Sequence, residues 1–197
     1  MKLLFFFLLI ASCSQTQESL PKRINLADYE NSFLLRHLSQ FSIDSTFIQK
    51  LKLEGNLFNR SLVPDTAFFD SLLGKYDYLL YSWQEESSKN FKDFTVLTST
   101  HFDPGLELHY IRLDDNNLLL FNKVVARRVF HRNGSTFILS SKILSGDTLL
   151  MTRISNTVAY DSNYQIQPNL TQDTFEYEYV LSKDEILRAK RNDELIR

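Results

Sequence analysis

The sequence predicts an α+β domain in which N-terminal helices pack on a curled antiparallel meander of five or six strands, with a short C-terminal helix. Three observations carry this. Up to Trp83 the apolar residues recur at spacings of three and four, the period of a helix. From Asp93 onward short alternating runs are separated by turn-forming pairs, the pattern of hairpins. At Ser182, with Glu185 three residues on, a capping box opens the last segment.

The first predicted helix covers Leu26 to Gln40, where Phe33, Leu34, His37, Leu38 and Phe41 fall on one stripe. Asn25 or Asp28 supplies its cap. His37 lies on the stripe, where a lone histidine is a core or boundary residue, and it is given no function. The segment 42–64 reads two ways, as a short helix capped by Asp44 or Ser45, or as a strand ending at Gly55-Asn56. The second helix starts after Pro64, capped by Asp65, with Phe69, Leu72, Leu73, Tyr76, Leu80 and Trp83 on a stripe of about five turns. Gly74 falls inside it, at a cost of about 1 kcal/mol. Trp83 is assigned to the core by its place on that stripe.

Residues 85–92 form a polar linker, and strands follow: Phe94 to Thr100, Leu106 to Leu113, Leu118 to His131, Thr136 to Leu144, Thr148 to Tyr160 and Phe175 to Leu181. Asp103-Pro104-Gly105, Asp114-Asp115-Asn116-Asn117, Asn133-Gly134 and Gly146-Asp147 have turn chemistry, with Asn133-Gly134 suited to a type I′ hairpin. Connections this short force antiparallel neighbours, because a parallel crossover needs about a dozen residues. Phe175, Tyr177, Tyr179 and Leu181 share one face and Glu176 and Glu178 the other, so one side of the sheet needs a cover. Leu118 to His131 is apolar on both faces, which places it centrally or bends it.

The ends of the chain carry the most specific information. Residues 1–13, MKLLFFFLLIASC, combine a cation at Lys2, a nine-residue apolar run from Leu3 to Ala11, and small residues before the one cysteine of the chain. The run is too short to span a bilayer, which takes about 20 residues, but it fits the apolar core of an export signal. The segment resembles the signal of a bacterial lipoprotein. That resemblance implies that residues 1–12 are removed, that Cys13 carries diacylglycerol, and that the protein is held by lipid in the cell envelope. Residues 13–25 then form a lipidated cysteine and polar tether, and residues 26–197 a single domain. A lone cysteine has no intrachain disulfide partner, and lipidation accounts for it.

Composition narrows the function classes. The formal charge of −2, from 22 basic and 24 acidic residues, is no nucleic-acid footprint. Sixteen Phe and nine Tyr against five Gly and four Pro describe a packed domain. Beyond residue 13 no apolar run reaches 18 residues, so no second membrane segment is expected. Neither a G-x-S-x-G elbow, a phosphate-binding glycine loop nor a dinucleotide fingerprint occurs.

The densest set of reactive side chains is His101, Asp103, Glu107 and His109. Each pair is two residues apart, so on neighbouring strands both pairs could face one way, as a His and carboxylate metal site requires. The set fits no zinc signature. Glu176 and Glu178 lie about 7 Å apart on a strand face, but glycosidases bring their carboxylates from two sides of a cleft. Asp114 to Asn117 lacks the distal glutamate of a calcium loop. Lys123 and Arg127 share a face, with Arg127 placed to approach Glu176 or Glu178. The expectation is therefore an envelope lipoprotein without catalysis, cofactor or metal. It binds membrane lipid through Cys13 and an envelope protein or a small hydrophobic or glycan ligand through its domain. The alternative is a metal-dependent or acid/base envelope hydrolase built on His101, Asp103, Glu107 and His109.

Overall fold

The computed structural model describes residues 32–44, 46–47, 66–74, 78–84, 91–100, 105–131, 134–160 and 166–196. Residues 1–31, with Cys13, the tether and the start of the first expected helix, lie outside them, as do Asp65 and Gly55-Asn56. In chain order the elements are β1 (Leu35–Arg36), β2 (Gln40–Phe41), α1 (Thr66–Leu73), β3 (Tyr78–Gln84), β4 (Phe91–Thr100), β5 (Gly105–Asp114), β6 (Leu119–Phe130), β7 (Thr136–Ser145), β8 (Thr148–Tyr160), β9 (Ile166–Val180) and β10 (Glu185–Ile196). They form one open sheet in the order β1-β3-β4-β5-β6-β7-β8-β9-β10, with β2 paired to β7. The expected curled meander of five or six strands is thus corrected to an open sheet of ten. Among the described residues α1 is the one helix of more than a turn, so the expected layer of several N-terminal helices is corrected as well.

The second expected helix stops early for a local reason. Gly74 stands at φ +78°, the left-handed conformation that ends helices and that glycine adopts without steric cost. Beyond it Tyr78 to Gln84 alternates strictly between buried and half-buried positions. Tyr78, Leu79, Leu80 and Tyr81 are all large and apolar, so the run satisfies a helical stripe and a two-sided strand equally well. Pairing with β4, from Tyr78↔Thr98 to Gln84↔Asp93, decides for the strand.

The described part of the first expected helix, residues 32–40, is mostly extended. His37 has φ +42°, which no helix accommodates, and its N–H donates to the Trp83 carbonyl at 2.8 Å. On either side β1 runs parallel to β3 and β2 antiparallel to β7. Residues 35–41 therefore act as a strap between strands four places apart in the sheet. Phe33 and Phe41, read as one stripe, go to separate cores.

The C-terminal helix is also corrected, to strand β10. It pairs with β9 from Glu185↔Val180 to Ile196↔Leu170. Where the capping box was expected, Ser182 N–H donates to Asp147 Oδ2 and Leu181 N–H to Asp147 O, both at 2.9 Å, and Asp184 turns the chain at φ +53°. The Ser182 N–H, which Glu185 would accept in a capping box, is committed to the β7–β8 turn.

The strands from residue 93 on lie where the alternation places them, β8 at its expected limits and β9 longer by nine residues at its start. Asp114 Oδ1 accepts from Asn116 and Leu118 N–H, each at 2.8 Å, which closes the β5–β6 turn. Between β6 and β7 His131 N–H donates to Ser135 O at 2.9 Å, and Gly134 is left-handed at φ +87°. Asn133 lies outside the described residues. Gly146-Asp147 forms the two-residue β7–β8 loop inside the Ser145↔Thr148 pair.

Both faces of strands β3 to β5 are covered. On one, Phe68, Phe69 and Leu73 of α1 pack with Phe33, Tyr78, Phe94 and Ile111. On the other, Phe41 and Ile43 of the strap pack with Leu97, Leu108, Met151 and Tyr179. Strand β4 gives Phe94 and Val96 to the first cluster and Leu97 to the second, so it is buried on both sides.

Candidate ligand-binding cleft

Of the four reactive side chains singled out in the sequence, Glu107 and His109 are described, and His101 and Asp103 lie outside the described residues. Glu107 and His109 are two apart on β5 and point the same way, as expected, with His109 Nε2 at 3.4 Å from Glu107 Oε2. Arg127 Nε lies 2.8 Å from Glu107 Oε1, so Arg127 meets Glu107 and neither Glu176 nor Glu178. His109 Nδ1 lies 3.1 Å from Asn122 Oδ1. The Glu107 carboxyl is held below its usual value, chiefly by the hydrogen bond from His109, and by the Arg127 charge, against the opposing effect of burial. Glu107, His109, Arg127 and Asn122 thus lie against one another. Among the described residues no group of three or more His, Cys, Asp or Glu is placed to hold a metal ion.

A second polar cluster is buried. Asp93, with its side chain 2 % exposed, accepts a bidentate pair from Arg112 Nε and Nη2, both at 2.7 Å, and a bond from Tyr110 Oη at 2.8 Å. Arg112 Nη1 reaches Asp147 Oδ1 at 2.6 Å, and its guanidinium carbon stands 5.1 Å from the ring centroids of both Phe91 and Phe121. Burial raises the Tyr110 hydroxyl far above its ordinary value, and the Asp93 charge adds to this. For Arg112 burial works downward, but the bonds and charge of Asp93 outweigh it and the net direction is up. A tyrosine kept neutral and an arginine kept charged tie β4, β5 and the β7–β8 turn together through four hydrogen bonds. That is an architectural device.

Among the described residues, a cleft of about 250 Å³ lies between the strap segment and the strands it crosses. Leu38, Phe41, Phe47, Tyr81 and Leu108 supply its apolar walls, and Gln40, Ser42, Asp44 and Thr46 its polar groups. Two ring pairs set its shape: Phe47 on Tyr81 at 5.2 Å, and Phe41 edge-on to Tyr110 at 5.7 Å. Asp44 caps the turn of helix at 46–47, accepting from Phe47 N–H at 2.7 Å, the capping role read from the sequence. The strap is held from behind by Leu38 N–H to Gln84 Oε1 at 3.0 Å, and Gln84 Nε2 in turn donates to Ser82 Oγ at 2.8 Å.

The cleft was not foreseen in the sequence. Its signal was the alternation Gln40-Phe41-Ser42-Ile43-Asp44, polar and apolar by turns, at the end of a stretch whose helical spacing was the stronger cue. Apolar walls with a few polar groups suit a small ligand held by burial and oriented by hydrogen bonds, and the volume falls just below that of drug-sized pockets, about 300 Å³ and up. Comparison of the chain with protein-family models, with curated proteins and with solved structures finds no match, so the reading of the cleft rests on its own geometry.

Proposed function

We propose that this chain is a lipid-anchored envelope protein whose domain binds a small, largely apolar ligand in the strap cleft and performs no chemistry on it. The location rests on residues 1–13. An apolar run too short to span a bilayer, ending in small residues and a lone cysteine, is what lipid attachment at Cys13 requires. Among the described residues no helix is long and apolar enough to cross a membrane. Each acyl CH₂ buried in the bilayer contributes about 0.8 kcal/mol, so two or more chains make release slow. Cys13→Ser is expected to abolish incorporation of labelled fatty acid and to leave unprocessed or mislocalised precursor. Normal labelling and envelope retention in that variant would sink the anchor.

The binding role rests on the cleft, whose apolar walls and polar rim come from one short segment laid over the sheet. N-phenylnaphthylamine, a small apolar fluorescent probe, is expected to bind saturably at one site. Phe47→Ala removes one ring of the Phe47–Tyr81 pair and should weaken that binding about tenfold, in keeping with about 1.5–3 kcal/mol for a buried aromatic side chain. Equal affinity in the variant would remove the cleft from consideration.

A further inference from the structure

Strand register aligns a row of side chains across half the sheet. Glu107 pairs with Arg127, Arg127 with Leu139, Leu139 with Arg153, Arg153 with Phe175, and Phe175 with Arg191. Directly paired residues point to the same face, so three arginines stand on alternate strands β6, β8 and β10. With strands about 4.8 Å apart, neighbouring arginines are separated by about 10 Å along the row. Their side chains are 43 %, 40 % and 62 % exposed.

The three are not equivalent. Arg127 is matched by Glu107 at 2.8 Å and Arg191 by Asp173 at 3.2 Å. Arg153, in the middle, approaches its nearest carboxylate oxygen, Asp173 Oδ2, only to 4.0 Å. Its guanidinium carbon stands 5.1 Å from the Phe175 ring centroid, and Arg127 stands 5.7 Å from that of Phe137. Stacking on a ring fixes the plane of the fork, and a fork so pre-organised takes a carboxylate with two parallel N–H bonds. Arg153 Nε is itself buried without a hydrogen-bond partner, so its two terminal nitrogens are the donors on offer.

We propose that this row binds an acidic polysaccharide, a chain with carboxylates on spaced units, with Arg153 as its principal contact and Arg127 and Arg191 as flanking ones. The single-file arrangement matches a linear polyanion. It does not match an anionic membrane surface, which is held by clusters of about four to eight uncompensated cations. Here Glu107 and Asp173 stand among the arginines and would repel a continuous sheet of negative charge, while a chain can place its carboxylates between them.

The test is titration calorimetry on the full chain in neutral detergent, with hexagalacturonate as the acidic probe, cellohexaose as the neutral one, and glycerol phosphate as a lipid-headgroup mimic. Hexagalacturonate alone is expected to bind, more weakly as salt rises. Arg153→Gln should lower its affinity at least about tenfold, the size of one charge-assisted bidentate contact. Arg127→Gln and Arg191→Gln should each lower it several-fold. Lys190→Gln removes an equal charge from β10 at a position paired with Glu176, on the opposite face, and should change nothing. No binding of hexagalacturonate at millimolar concentration overturns the proposal, as does equal loss in Arg153→Gln and Lys190→Gln. Glycerol phosphate binding that Arg153→Gln abolishes, without binding of the oligosaccharide, overturns it in favour of a lipid headgroup.

Discussion

Asp93→Ala is expected to destabilise the domain by about 3–5 kcal/mol, the usual cost of removing one partner of a buried ion pair. Against a total stability of about 5–15 kcal/mol for a domain, this is a large fraction of the whole. The substitution removes the acceptor of three bonds at 2.7–2.8 Å: two from Arg112 and one from Tyr110 Oη. Arg112, whose side chain is 11 % exposed, then keeps only Asp147, which lies nearer solvent. The rings of Phe91 and Phe121, each 5.1 Å from its guanidinium carbon, offer no acceptor in the plane of the fork. Tyr110 Oη is stranded in the same space. Urea unfolding of Asp93→Ala against the parent gives the number, and a loss below about 1 kcal/mol would mean that water reaches Arg112 freely. The double variant Asp93→Leu with Arg112→Met should recover most of the loss, because replacing both charges by apolar groups of similar volume leaves no orphan.

That network also shows what the sequence could and could not convey. Strands β4 to β7 were legible because each carries alternation and is followed by residues with turn chemistry, such as Asp114 to Asn117 or Gly146-Asp147, while β8 and β9 were read from alternation alone. Their antiparallel order followed from the short connections. The pairing of Asp93 with Arg112 was hidden, since the two lie on different strands and only the Asp93↔Arg112 register sets them side by side. The Glu107 and His109 pairing was legible, being local to one strand, whereas Arg127 was assigned to the wrong carboxylates, because its partner lies on the adjacent strand β5 rather than on β9.

Where the reading failed, tertiary contacts overrode local preference. Glu185-Ile186-Leu187-Arg188-Ala189-Lys190 is rich in helix formers, yet the segment is a strand, because the ladder to β9 satisfies its backbone over its whole length. The strap carries a helical stripe, yet His37 at φ +42° and the pairings with β3 and β7 hold it extended. Gly74 was the one local signal available, and reading it as a stop rather than as a tolerated interior residue would have divided α1 from β3 correctly.

The same division makes α1 dependent on its docking. Eight residues are too few for a stable helix in water, and α1 has neither acidic residues in its first turn nor basic ones in its last. What holds it is its apolar face, and Phe69 is the centre of that face. Fully buried, its ring lies 5.2 Å from Phe68, 5.3 Å from Tyr78 and 6.4 Å from Phe94. Phe69→Ala removes the ring, leaves a cavity between helix and sheet, and is expected to cost about 3–5 kcal/mol. Because the helix has no independent stability, its amides should lose hydrogen-exchange protection before those of β8 and β9, which pack in the other cluster. Ser71→Ala, on the exposed side of the same helix, removes only a hydroxyl that donates back to the Phe68 carbonyl and should change stability by no more than about 0.5 kcal/mol. If Phe69→Ala cost no more than Ser71→Ala, the sheet would be stable without its helical cover on that face. The apolar side of β3, β4 and β5 would then need some other explanation for staying dry.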